Sequence, residues 1–355
     1  MTKWIKRAAV AAIVLGSGVA ASAAIRLQGA GATFPNPIYQ RWVNDYQRSH
    51  PGVQIDYQSI GSGGGIKAIV AKTVDFAGSD APLTKKELQS VGAEVVHIPT
   101  VAGSVVPAYN LPGFNGELKL SGEVLADIFM GKIRSWNDPK IAAMNEGARL
   151  PNTQITPAWR TDGSGTTFVW TSYLATQSED FKGNVGAAKQ VEWPEGQGGK
   201  GNEGVAAIVQ STPGSVGYIE LNYATQNRIP FASVKNQAGK FIKASPETVS
   251  AASANAVEQM KGNSLAVDIW NAKGENAYPI SAFTYVIVLK DLSAVGTKAE
   301  AQALVDFLYW ATHDGQQTAA EMDYAPLAEP VRKMVAQTLA SLTHSGNALK
   351  VASAK

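Results

Sequence analysis

Apolar and polar positions along the chain alternate in two rhythms. In "VQIDYQSI" the apolar residues Val53, Ile55 and Tyr57 fall at every second position, the period of a half-buried strand. In "PIYQRWVNDYQR" Ile38, Trp42, Val43 and Tyr46 recur at helical spacing and share one face. "LTKKELQSV" sets Thr84 three residues before Glu87, the spacing of a helix capping box. The run "YPISAFTYVIVLKD" (278–291), rich in β-branched and aromatic residues, predicts a buried strand. "AEAQALVDFLYWATHDG" predicts a helix, and "PVRKMVAQTLASL" a second one with Pro330 in its first turn. After residue 25 strands and helices alternate, which predicts an α/β fold. Two segments, "IPTVAGSVVPAYN" (98–110) and "ENAYPISAFTYVIV" (275–288), are extended and uncharged in their middles, as strands crossing between two lobes would be.

The first residues break this rhythm. Lys3, Lys6 and Arg7 precede the apolar run "AAVAAIVLGSGVA", which ends in the small residues Ala21, Ser22 and Ala23. Positive, apolar and small-residue parts in that order predict a cleavable signal peptide over residues 1–23. The alternative, a membrane anchor, needs an apolar run of about 20 residues, longer than this one. Cleavage changes the charge. The whole chain has 31 Lys and Arg against 29 Asp and Glu, or +2; losing three cations leaves 28 − 29 = −1. Anion binding must then come from a local site, and a nucleic-acid partner is disfavoured. At 355 residues, 45% hydrophobic and 17% charged, the chain can build two packed domains. It contains no cysteine, which excludes disulfides, thiolate metal sites, a cysteine nucleophile and a lipid carried on cysteine. A freely soluble periplasmic protein is the expectation.

Three stretches share one design. "GAGATF" (29–34) precedes the helix from Pro37. "IGSGGG" (60–65) follows a strand and precedes "IKAIVAKTV". "DGSGTTF" (162–168) follows the strand "ITPAW" and precedes "VWTSYLA". Each is a glycine-rich turn carrying a hydroxyl residue at the start of a helix. Helix N-termini present free N–H groups and partial positive charge, glycine lets the backbone curl around a ligand, and hydroxyls add hydrogen bonds. Arg160 beside the third stretch offers a planar guanidinium suited to an oxyanion. A fourth glycine run, "GQGGKG" (196–201), matches G-x-G-x-x-G but follows Pro194 and Glu195 and not an apolar strand. It reads as a loop capping the helix "GVAAIVQ".

An enzyme needs a nucleophile and a base. The four histidines, His50, His97, His313 and His344, lie outside the glycine stretches, and neither G-x-S-x-G nor H-E-x-x-H occurs. His97 in "EVVHIP" reads as a satisfied core or edge residue, and Trp42, Trp136, Trp170 and Trp310 as core.

Asp80, in "DFAGSDAP", reads either as a turn or cap residue or as part of the anion site. In the second case it would repel a fully ionised anion and accept a hydrogen bond from one that keeps a proton. Phosphate and arsenate are protonated near neutral pH, whereas sulfate is not, so such an aspartate selects between them.

The stretches "GAGATFPNPIYQRW", "DYQSIGSGGGIKAI", "TVDFAGSDAPLT", "RTDGSGTTFVWTSYLA", "GGKGNEGVAAIVQ" and "GSVGYIELNYA" together resemble the periplasmic phosphate-binding proteins of high-affinity phosphate ABC transporters. The resemblance spans essentially the whole chain after the signal peptide. It implies a two-lobed periplasmic binding protein of type II, with residues 25–100 and 280–355 in lobe 1 and 101–279 in lobe 2, joined by two crossing strands. It implies that phosphate lies between the lobes on Thr33, Phe34 (through its backbone N–H), Ser62, Asp80, Arg160, Ser164, Gly165 and Thr166. Asp162 matches the aspartate that pairs with the arginine. It further implies a monomer that is not an enzyme, uses no metal or cofactor, and delivers phosphate to membrane permease subunits. Trp159 departs from the pattern, standing where a basic or polar residue is expected, which alters the charge near the cleft mouth. Two competitors remain: a receptor for sulfate, molybdate or arsenate, against which Asp80 argues for the first two, and a secreted phosphatase, against which the missing nucleophile and base argue.

Overall fold

The computed structural model describes residues 24–260 and 265–351, so the expected signal peptide lies outside the described residues. Eight strands form one curled sheet: β1 (Ile25–Gly31), β2 (Val53–Ser59), β3 (Phe76–Ser79), β4 (Val95–Tyr109), β5 (Thr156–Arg160), β6 (Gln197–Gly199), β7 (Ser215–Glu220) and β8 (Ser281–Leu289), in the order β2-β1-β3-β8-β4-β7-β5-β6. β4 belongs to both halves. Its residues 95–104 pair antiparallel with β8 and its residues 105–109 with β7. The first half is completed by β1, parallel to both β2 and β3. The second is completed by β5, parallel to both β7 and β6. Beside the second crossing, the Val105 N–H donates to Ile280 O at 2.9 Å and the Tyr278 hydroxyl to Val105 O at 3.0 Å.

The patterned segments form the elements expected of them. Ile55 and Tyr57 of β2 are buried. Helix α1 (Asn36–Ser49) buries Ile38, Tyr39, Trp42, Val43 and Tyr46 on one face. In α3 (Lys85–Val91) both halves of the Thr84–Glu87 capping box are made. All nine residues of β8 are buried, as a strand covered on both faces requires. The helices at Lys298–Thr312 and Glu329–Ala340 are present, the latter with Pro330 in its first turn. Trp42, Trp136 and Trp170 are fully buried, but Trp310 is only half-buried, 5.4 Å from the Tyr46 ring, because it lies toward the outer side of its helix. His97 is buried and satisfied: Leu83 N–H donates to its Nε2 at 3.1 Å, and burial lowers its pKa to about 4. Among the described residues no helix is long and apolar enough to cross a membrane.

Candidate functional site

Parallel strands end where ligands bind in open α/β sheets, at their carboxyl ends. Here both halves of the sheet place helix N-termini there. β1 leads through Thr33 and Phe34 to α1, and β2 through Gly61 to α2 (Ser62–Val70). β3 leads to Asp80. From the other half, β5 leads to a helix we call α4 (Gly165–Gln177), and β6 to α5 (Gly201–Ser211).

The helices begin earlier than the sequence pattern suggests. Gly63, Gly64 and Gly65 form the first turn of α2, and Thr166 and Thr167 that of α4. Glycine is demanded in α2 by close approach rather than by a loop. A Cβ on Gly63 would stand 3.1 Å from Gly163 Cα, and one on Gly65 only 2.6 Å from Ala30 O. The reading of 196–201 as a capping loop also needs correction. Residues 197–199 pair with β5 as a short edge strand, and α5 opens against the other loops. Its Gly201 N–H reaches Asp162 Oδ1 at 3.1 Å, and its Asn202 N–H reaches Thr33 Oγ1 at 3.2 Å. A three-residue edge strand of Gln and Gly leaves no apolar signal.

Arg160 is the one cation among the expected residues. Its side chain is 1% exposed, and Asp162 grips it from Nε and from Nη2. Nη1 lies 3.4 Å from Thr166 Oγ1, and the backbone N–H donates to the Tyr218 hydroxyl at 3.0 Å. A guanidinium carries five N–H donors, and with three engaged by Asp162 and Thr166 two remain for a ligand. Burial alone would raise the Asp162 pKa, but the hydrogen bonds and charge of Arg160 outweigh it, and the net direction is down. The pair enters the site as a preformed, nearly neutral unit.

Ser62 and Asp80 close the opposite side. Gly165 N–H donates to Ser62 Oγ at 3.1 Å, so the N-termini of α2 and α4 meet at one hydroxyl. Gly63 N–H donates to Gly163 O at 2.8 Å beside it. Ser62 Oγ also lies 3.5 Å from Asp80 Oδ2. The other carboxylate oxygen, Oδ1, accepts from Thr284 Oγ1 at 2.8 Å. Asp80 is fully buried, and this desolvation pushes its pKa from 3.8 to about 7, against the pull of Thr284, Arg160 and Ser62. Ser164 caps α4, its Oγ accepting from Thr167 N–H at 3.0 Å, while its own N–H donates to Lys189 O.

Thr33 and Thr166 face each other across Asn202. Asn202 Nδ2 donates to Thr33 Oγ1 at 2.7 Å and to Thr166 Oγ1 at 3.1 Å, and its Oδ1 accepts from Glu220 N–H at 2.9 Å. The Phe34 ring is buried against Gly103, whose Cβ would stand 2.7 Å from it, and Tyr324 donates to Phe34 O at 2.7 Å. All eight expected ligand residues therefore gather in one place, with Asp162 behind Arg160. Asn202 and Thr284 were not singled out by the sequence, and only the quoted run "GGKGNEGVAAIVQ" held a hint of the former. Trp159 is half-buried and donates from Nε1 to Glu195 O at 3.1 Å, away from these groups. Among the described residues no cluster of three or more His, Asp or Glu side chains is placed to hold a metal ion.

Helix ends from two halves of a curled sheet, closing on one buried guanidinium, define a two-lobed binding protein of type II. The PBP superfamily domain matches residues 18–314. The chain is 46% identical to "Phosphate-binding protein PstS" of Pasteurella multocida over 94% of its own length and 95% of that protein's. It is 45% identical to the protein of that name from Haemophilus influenzae, over 86% and 90%. A solved phosphate-binding protein from Stenotrophomonas maltophilia shares the fold with a TM-score of 0.68 at 22% identity, covering 87% of this chain and 92% of that one. The chain belongs to the PstS family of phosphate-binding proteins within the PBP superfamily.

Proposed function

We propose that this protein captures inorganic phosphate in the periplasm and delivers it to the permease of an ABC-type importer, as a monomeric receptor and not an enzyme. The relatives' shared name supports the ligand class. The observation that carries the choice of ligand is Asp80: a carboxyl fully buried inside an anion cradle, with Oδ1 already receiving a hydrogen bond from Thr284. Its remaining oxygen accepts the proton that phosphate retains and sulfate lacks.

In this reading Arg160, Thr33, Ser62, Ser164 and Thr166 supply side-chain donors and Phe34 supplies a backbone N–H, while Gly165, whose N–H donates to Ser62 Oγ, brings the start of α4 against that hydroxyl. Each charge-assisted bond contributes about 1.5–3 kcal/mol. Micromolar affinity needs only about 8 kcal/mol net, so the remainder offsets desolvation and closure. The lobes divide within β4, its residues 95–104 lying with β8 in lobe 1 and its residues 105–109 with β7 in lobe 2, and close over the anion. Residues 1–23 direct export and are removed.

Calorimetric titration of the mature chain tests this. Phosphate binds tightly and sulfate leaves that binding unchanged. Tight sulfate binding that phosphate cannot displace would overturn the assignment.

A further inference from the structure

The Thr33–Phe34 peptide unit is held from behind. A trans peptide directs its C=O and N–H to opposite edges. On the carbonyl edge, Thr33 O accepts from the Tyr223 hydroxyl at 2.7 Å and from Asn36 N–H at 3.2 Å, which occupies both lone pairs. On the opposite edge, no acceptor among the described residues takes the Phe34 N–H. That N–H is the donor assigned above to phosphate. Hydrogen bonds in a chain polarise one another, so a carbonyl with two donors makes its partner N–H the stronger donor.

Tyr223 reaches Thr33 from the other lobe. It lies in the short helix Leu221–Gln226, at the end of β7, whereas Thr33 follows β1. The same helix touches lobe 1 elsewhere: Asn222 Nδ2 donates to Met322 O at 3.1 Å, and Thr225 Oγ1 to Asp323 Oδ2 at 2.5 Å. Those two contacts join the lobes without touching a ligand-facing peptide. Tyr223 is buried, and burial, with Glu203 and Glu220 adding to it, holds its phenol well above the ordinary value, so the hydroxyl keeps its proton.

We infer that Tyr223 is a positioning residue for phosphate capture: on lobe closure its hydroxyl orients and polarises the Thr33–Phe34 peptide from behind, so the Phe34 N–H becomes a full-strength ligand donor only in the closed form. This rests on the phosphate function proposed above. It makes one peptide unit the link between closure and binding, with the other lobe's Tyr223 on its carbonyl edge and the ligand on its N–H edge.

The test compares Tyr223→Phe with Thr225→Val in the mature chain, by stopped-flow phosphate binding and by the amide spectrum of Phe34. Tyr223→Phe raises the phosphate dissociation rate about tenfold, leaves association within about twofold, and reduces the downfield shift of the Phe34 amide proton on phosphate addition. Thr225→Val moves neither the amide shift nor the dissociation rate to that extent. An unchanged dissociation rate in Tyr223→Phe, an unchanged Phe34 shift, or an equal effect in Thr225→Val would overturn the inference while leaving phosphate binding standing. A wild-type chain that binds no phosphate would overturn the functional assignment and the inference with it.

Discussion

Asp162 holds Arg160 by both its carboxylate oxygens, Nε to Oδ1 at 2.8 Å and Nη2 to Oδ2 at 2.5 Å. The side chains are 1% and 13% exposed, so the guanidinium charge is balanced in a buried site before any ligand arrives. The fork leaves the other edge of the guanidinium facing the hydroxyls of the cradle.

Removing one member of a buried pair strands the other, at a cost of about 3–5 kcal/mol. Asp162→Ala should therefore lower the melting temperature of the ligand-free protein strongly, and phosphate should raise it by more than it raises the wild type, because the anion replaces the lost carboxylate. Arg160→Ala should keep the fold and lose phosphate affinity by orders of magnitude. Differential scanning calorimetry with and without phosphate checks the first, and isothermal titration the second. Equal phosphate-induced shifts in Asp162→Ala and wild type would show that the pair does not share its charge with the ligand.

Asp80 predicts an opposite pH dependence to an ordinary surface aspartate. Its folded pKa is raised from 3.8 to about 7, so the stability it contributes is fully present below about pH 4 and is lost as pH rises through 7. Asp80→Asn mimics the neutral form. Ligand-free wild type and variant should melt alike near pH 4, and the variant should melt higher at pH 8. The same variant should discriminate less against sulfate. Complete exclusion of sulfate by Asp80→Asn would remove the proton-acceptor account.

Asn202 predicts a combined loss. Asn202→Ala takes one donor from Thr33 Oγ1, one from Thr166 Oγ1 and the acceptor of the buried Glu220 N–H, while the backbone N–H of residue 202 stays on Thr33 Oγ1. The last of these is an orphaned buried donor worth about 1–3 kcal/mol. Melting temperature should fall by several degrees and phosphate affinity by about tenfold or more. Affinity equal to wild type by calorimetry would separate Asn202 from the site.

Gly165 is closed to any side chain. A Cβ there would overlap Asp80 Oδ2 and Ser62 Oγ. Since the obstruction lies between the two halves of the cradle, Gly165→Ala should block closure while each half keeps its core. Far-ultraviolet circular dichroism should match wild type, and small-angle scattering should show no compaction on phosphate addition. Compaction with wild-type affinity would refute the obstruction.

Much of this was legible in the chain, and the exceptions have a common cause. β8 and α1 declared themselves because burial writes itself into consecutive side chains at a fixed period. The cradle loops declared themselves by glycine beside hydroxyl and by Arg160. Helix starts were misplaced in α2 and α4 because a glycine tolerated in a first helical turn looks the same as one in a loop, and the reason for it sits in another segment. Asn202 and Thr284 were silent for the same reason. Their partners lie 169 and 204 residues away, an asparagine in a polar run looks ordinary, and so does a threonine in an apolar strand. The pairing of β8 with β4 shifts register between Thr284 and Tyr285, a feature no local pattern encodes.

The strand order also governs assembly. β8, from residues 281–289, sits between β3 and β4. The half of the sheet that carries the first loops thus cannot close until nearly the last part of the chain has emerged, while β4, β5, β6 and β7 lie closer together in sequence. A chain threaded across a membrane from its amino end would finish its second half first. Thr33, Ser62 and Asp80 would then wait unassembled longest, which makes the earliest-made residues of the cradle the last to become competent.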